Sequence, residues 1–131
     1  MQQKLIKNKV MINEDYVSFE VAKLLKEKGF DSPCMGRYSV RSKEFHLDCT
    51  KMCNNGGLFE CAAPSQAMAM KWLRETHSIA IESMLLSHGW FCQIEKILED
   101  FCKEYIDETD SYKTYEEAVE AAIKYCLENL I

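Results

Sequence analysis

The sequence predicts an α+β fold, an antiparallel sheet of about four strands with helices packed on one face, in the order α-β-β-α-β-β-α. Three observations lead there. Three segments repeat apolar residues at helical spacing, near the start, in the middle and at the end. Two further regions alternate apolar and polar residues, each as neighbouring runs joined by short turn-forming stretches. The alternating runs follow one another directly, without the strand-helix-strand order that parallel sheets need.

The first helix is expected in "SFEVAKLLKEKGF". Val17, Val21, Leu24 and Leu25 make one apolar stripe, Ser18 suits the N-cap and Gly29 the position after the last turn. Lys26 and Lys28 lie where the helix dipole favours cations. Two strands follow. In "EFHLDC", Phe45, Leu47 and Cys49 alternate with His46 and Asp48, as in a strand with one buried face, and "GRYSVRS" is its shorter partner. "CNNGG" marks a loop.

Pro64 and Ser65 open the second helix, on which Met68, Ala69, Trp72, Leu73 and Thr76 are expected to form the buried face. Lys71, Arg74 and Glu75 fall off it. A hairpin comes next. Ile79, Ile81, Ser83 and Leu85 alternate on its first arm, "SHG" turns the chain, and Trp90, Cys92 and Ile94 alternate on the second. Residues 98–112 fit either a short helix from Leu98 or an acidic loop. Thr114 and Glu117 form a capping box for the last helix, whose stripe is Val119, Ala122, Ile123, Cys126 and Leu130, with Glu120 four residues before Lys124.

One domain accounts for residues 1–131, with residues 1–15 as an N-terminal arm. No apolar run approaches the about 20 residues of a membrane span, and the start lacks the apolar core of a secretory signal. The expected location is the cytoplasm, in the host cell if a phage encodes the chain. Seven cysteines, an odd number, are read there as mostly free thiols. The net charge is −5, but it divides into +3 over residues 1–51 and −8 over residues 52–131. Such a surface argues against binding to a phosphate backbone, apart from a local basic patch at Lys4, Lys7 and Lys9.

Motifs for chemistry are sparse. His46, Cys49, Cys53 and Cys61 are the set that zinc would use, with Cys34 as a substitute. They lack the two tight ligand pairs of a structural site, and no metal or other cofactor is expected. A cysteine nucleophile paired with His77 or His88 has no local pattern behind it. Counted as a calcium loop from Asp107, the chain has Tyr112 where glycine is required and Ala118 where glutamate is required. "NNGG" lacks the lysine of a phosphate-binding loop. Trp90 or Tyr112 beside Arg74 has the residue types to stack a base.

"EDYVSFEVAKLLKEKGFD", "PSQAMAMKWLRE" followed by His77, and "SYKTYEEAVEAAIKYCLENLI" together resemble a family of short proteins encoded by gut bacteria of the Bacteroides type and by their phages and mobile elements. The resemblance covers about half of the chain and leaves out the region from Cys49 to Cys61. It implies a small cytoplasmic protein expressed from mobile DNA, without an assigned activity, cofactor or catalytic residue. The expectation is therefore a binding or accessory protein and not an enzyme, one that engages a protein partner through Arg74, His77 and the hairpin tip from His88 to Trp90. A homo-oligomer through an exposed sheet edge is compatible with it. The alternative is a phage anti-defence protein that sequesters a small nucleotide signal, in a pocket lined by Arg74, a lysine and an aromatic such as Trp90 or Tyr112.

Overall fold

In the computed structural model, residues 12–48 and 52–131 are described. They form an α+β fold with α1 (Phe19–Glu27), β1 (Gly36–Ser39), β2 (Phe45–Leu47), β3 (Glu60–Ala62), α2 (Gln66–His77), β4 (Ile79–Leu86), β5 (Gly89–Ile97), β6 (Lys103–Glu108) and α3 (Tyr115–Asn129). The strands lie in two antiparallel sheets of three, ordered β2-β1-β3 and β4-β5-β6, where the sequence suggests about four strands in one. Of the expected N-terminal arm, residues 12–15 are described. Its last carbonyl, on Asp15, accepts the Gln66 N–H at 2.8 Å.

The helix ends follow the sequence closely. The Ser18 hydroxyl accepts from the Val21 N–H at 3.2 Å, the Ser65 hydroxyl from Met68 at 3.2 Å, and the Thr114 hydroxyl from Glu117 at 3.1 Å. At the other end of α1, Gly29 takes φ +92°, its N–H reaches the Lys26 carbonyl at 3.2 Å, and the Phe30 N–H reaches Leu25 at 2.9 Å. This pair of bonds is a Schellman stop, and it folds Phe30 back into the core. α2 ends differently, on Ser78 in the left-handed region at φ 56° and ψ 38°. A Cβ there is strained, so Ser78→Gly should raise the unfolding free energy by about 0.5–1 kcal/mol, read as a higher Tm.

The core is one cluster. Val21, Ala22 and Leu25 of α1, Ala69 and Leu73 of α2, Cys92 and Ile94 of β5, and Val119, Ala122, Ile123, Cys126 and Leu127 of α3 all belong to it. α3 lies along β4 and β5, with α1 and α2 beside it. On α2 the buried residues are Gln66, Ala69 and Leu73, with Met70 and Trp72 partly buried, whereas Met68 and Thr76 face solvent. The expected stripe is thus rotated, because α2 packs on β4 and α3 together and not on a flat sheet. Trp72 meets Phe30 edge-on at 5.5 Å, as a packing residue should.

The β4–β5 hairpin has the expected register, from Ile79 opposite Lys96 to Leu86 opposite Gly89. Gly89 has φ +130°, and a Cβ on it would sit 2.5 Å from the Tyr112 carbonyl. Of residues 98–112, which the sequence leaves open between a short helix from Leu98 and a loop, Glu99–Phe101 form a single 3-10 turn and Lys103–Glu108 form a strand. A register shift between Ile94 and Glu95 pairs them with Asp107 and Tyr105, and Ile106 between these packs on the core. β2 departs from expectation in another way. Phe45 and Leu47 are 38% and 51% exposed, so its apolar side is only partly covered, by Tyr16 and Tyr38 against Phe45.

Candidate functional site

Helices α1, α2 and α3 meet at one polar junction. Gln66 is 6% exposed, and its Nε2 donates to the Glu116 carbonyl at 2.9 Å and to Glu120 Oε2 at 3.2 Å. Glu120 Oε1 accepts the Ser18 N–H at 2.8 Å, so one carboxylate serves the start of α1 and the first turn of α2 together. Lys124 pairs with Glu20 at 2.9 Å, which holds the Lys124 ammonium above the usual lysine range. The sequence pairs Lys124 with Glu120 instead. Tertiary partners outcompete that helical pair because Glu120 is committed to two N–H donors on other segments.

Beside this junction opens a cleft of about 500 Å³ between α1 and α3. Val21, Ala121, Tyr16 and Tyr112 give it apolar surface. Among the described residues, five carboxylates line it, those of Asp15, Glu20, Glu116, Glu117 and Glu120, against the ammonium of Lys124 alone. Part of this charge is internally used, since Glu117 Oε1 accepts from the Thr114 hydroxyl at 2.9 Å. The arrangement concentrates negative potential in a concave, partly apolar surface, where low-dielectric walls strengthen it.

Two smaller clefts adjoin the loop after β6. One, about 360 Å³, lies at the hairpin tip and is lined by Leu86, His88, Phe91, Glu108 and Asp110 among others. The second, about 230 Å³, lies between that loop and α3, with Tyr112 and Tyr125 on its walls. The loop is anchored by Thr109, whose N–H donates to the Cys92 carbonyl at 2.9 Å and whose hydroxyl accepts the Cys92 N–H at 3.0 Å. Tyr112 and Trp90 then exchange both backbone bonds, at 2.8 and 2.7 Å, and the Trp90 indole packs edge-on against Tyr115 at 5.5 Å.

The residues singled out from the sequence therefore fall into two groups. Trp90, Tyr112 and His88 gather near the hairpin tip. Arg74 and His77 stand at the C-terminal end of α2, at the opposite end of β4, an eight-residue strand of about 25 Å. Among the described residues, the clefts lined by His88 or Tyr112 do not include Arg74. His77 packs edge-on against Trp72 at 4.8 Å, and its Nε2 is buried with no hydrogen-bond partner among the described residues.

Of the zinc set, His46 is exposed on β2, Cys61 is buried on β3 opposite Tyr38, and Cys53 is buried opposite Cys34. Cys49 lies outside the described residues. Among the described residues no group of three or more histidine, cysteine or acidic side chains is placed to hold a metal ion.

Sequence reasoning missed Gln66 and the Glu82–Lys103–Glu95 group. Gln66 left a readable signal, a polar residue on the face that carries Ala69 and Leu73. Lys103 bridges Glu82 and Glu95 at 3.0 Å each. Its hydrogen bond holds the Glu82 carboxyl below the usual range. Glu95 is 3% exposed, and its second oxygen has no partner among the described residues. Nothing in the local sequence marks that burial, which follows from the pairing of β5 with β4 and β6 on both sides.

Among the described residues no helix is long and apolar enough to cross a membrane. Compared with protein-family models, curated proteins and solved structures, the chain matches none of them.

Proposed function

We propose that this chain is a non-enzymatic binding module whose α1/α3 cleft receives a basic segment of a protein partner, in the phage or mobile-element setting that the sequence resemblance implies. The observation that carries this is the lining of the cleft, which among the described residues is five carboxylates and two tyrosines against one lysine. A lysine- or arginine-rich segment finds complementary charge there and aromatic faces for its cations. A nucleotide would bring its phosphates toward five carboxylates, at a Coulombic cost that Lys124, the one cation lining the cleft among the described residues, does not offset.

The test is titration of a short Lys/Arg-rich peptide by calorimetry at low and at physiological salt. Binding should weaken as salt rises, and Asp15→Asn combined with Glu116→Gln should weaken it by about tenfold at low salt while leaving Tm nearly unchanged. These side chains are suitable because the backbone carbonyls of both residues, and not their carboxylates, bond Gln66. Equal binding by the double variant would refute the cleft. Thermal stabilisation by nucleotides without peptide binding would favour sequestration of a nucleotide instead.

A further inference from the structure

Cys34 and Cys53 face each other across an antiparallel bridge. The Cys34 N–H donates to the Cys53 carbonyl at 2.8 Å, and the Cys53 N–H returns to Cys34 at 2.7 Å. A pair that exchanges both bonds has its Cα atoms about 5.5 Å apart, near the middle of the range spanned by disulfides. Side chains directly opposite project to the same side of the ribbon. Both thiols are free and each residue is 4% exposed. We propose that Cys34 and Cys53 are a modification site, joined by a reversible intramolecular disulfide when the protein meets a small disulfide oxidant.

The chemistry is two thiol–disulfide exchanges. One cysteine thiolate attacks the oxidant, forms a mixed disulfide and releases one thiolate, which takes a proton. The second cysteine thiolate attacks the protein sulfur of that mixed disulfide, closes the S–S bond and releases the second thiolate. The protein loses two hydrogens and two electrons, and the oxidant becomes two thiols. Access comes through a cleft of about 200 Å³ that reaches Cys34 between Met35, Met52 and Met68, three exposed and adaptable side chains. At rest the pair is protected. Burial, with Cys53 beside it, pushes the Cys34 thiol up to about 11, so little thiolate is present near neutrality.

Reversibility follows from the same geometry. A hydrogen-bonded pair holds its Cβ atoms toward the wide end of about 4.5–5.5 Å, whereas a disulfide needs about 3.5–4.5 Å. Closure must draw the two backbones together, and a bond under that strain is the more readily reduced. The movement is feasible because the bridge stands outside the named strands, not inside a continuous ladder. Cys61 is not an equivalent partner. It pairs with Tyr38, four residues or about 13 Å along the chain from Cys34.

Full-length protein treated with oxidised glutathione should lose about 2 Da, for two hydrogens, while its Tm rises by about 5–10 °C. Unreduced tryptic digestion should join the peptide ending at Arg37 to the one beginning at Met52, and reduced glutathione should restore the mass. Since Cys61 shares the second peptide, a Cys61→Ala variant should give the same linkage, and so should Cys49→Ser. A bond mapped to another pair, such as Cys92 and Cys126, would overturn the proposal. So would the absence of any mass loss, or an oxidised form that glutathione cannot reduce.

Discussion

Phe30→Ala is expected to lower the unfolding free energy by about 3–5 kcal/mol, the loss typical of a large aromatic removed from a packed core. Three features place Phe30 at the high end of single-residue effects. It is 1% exposed, it is the residue after Gly29 in the stop of α1, and its ring meets Trp72 of α2. Its carbonyl also accepts from the Asn55 side chain, whose Oδ1 in turn accepts the Ala62 N–H at 2.7 Å. The ring therefore ties the end of α1 to α2, while its backbone ties α1 to β3. Urea unfolding monitored by tryptophan fluorescence checks the size of the loss. A double cycle with Trp72→Ala should return a coupling of about 0.5–1.5 kcal/mol for the edge-on pair. Met68→Ala is the contrasting case. Its side chain is 38% exposed, so the change should stay within about 0.5 kcal/mol, although periodicity alone assigns Met68 to the core.

That contrast shows where sequence and structure part. The three helices were legible because their signals are local: a capping hydroxyl, a repeat of three and four, and a glycine or polar stop. The β4–β5 hairpin was legible for the same reason, since its register follows from a short turn and a strict alternation. β3 and β6 were not. β3 is three residues long and pairs with β1 across more than twenty residues, so its neighbours in sequence say nothing of its neighbours in space. β6 is hidden by the register shift opposite Ile94 and Glu95, which brings the core-packing Ile106 between the paired Tyr105 and Asp107 and spoils the period of two. The cleft was legible only as a surplus of acids. That Glu120 would leave Lys124 and instead hold Ser18 and Gln66 depends on the crossing of three helices. Arg74 and Trp90, both sound choices of residue type, are separated by the length of β4, a distance fixed by topology.

The second large effect concerns alkaline pH. Stability should be level up to about pH 8 and then fall steadily between about pH 9 and 12. The main cause is a set of buried thiols that the fold keeps protonated, and Lys124, raised by its pairing with Glu20, adds to the fall in the same direction. Burial pushes Cys34 up to about 11 and Cys126 up to about 12, and it raises Cys61 and Cys92 as well. In the unfolded chain these thiols ionise near the ordinary cysteine value of about 8.5–9. Above that pH the unfolded state gives up protons that the folded state retains, so unfolding is favoured. The contribution of each thiol is thus complete below its unfolded value and is lost as pH climbs through the folded one. The slope is about 1.4 kcal/mol per pH unit for each such thiol. By pH 11, Cys34 and Cys126 alone account for about 5 kcal/mol, a loss comparable to the whole stability of many small domains. Denaturant midpoints measured from pH 7 to 11 under reducing conditions check this. Cys126 is 0% exposed in the centre of the α3 stripe, so Cys126→Ala should lower stability at pH 7 through lost packing yet flatten the alkaline fall by close to one thiol's slope. An unchanged slope in that variant would mean that the Cys126 thiol, on the face of α3 that packs on β5, ionises as readily in the folded chain as in the unfolded one, and would refute its share of the alkaline fall.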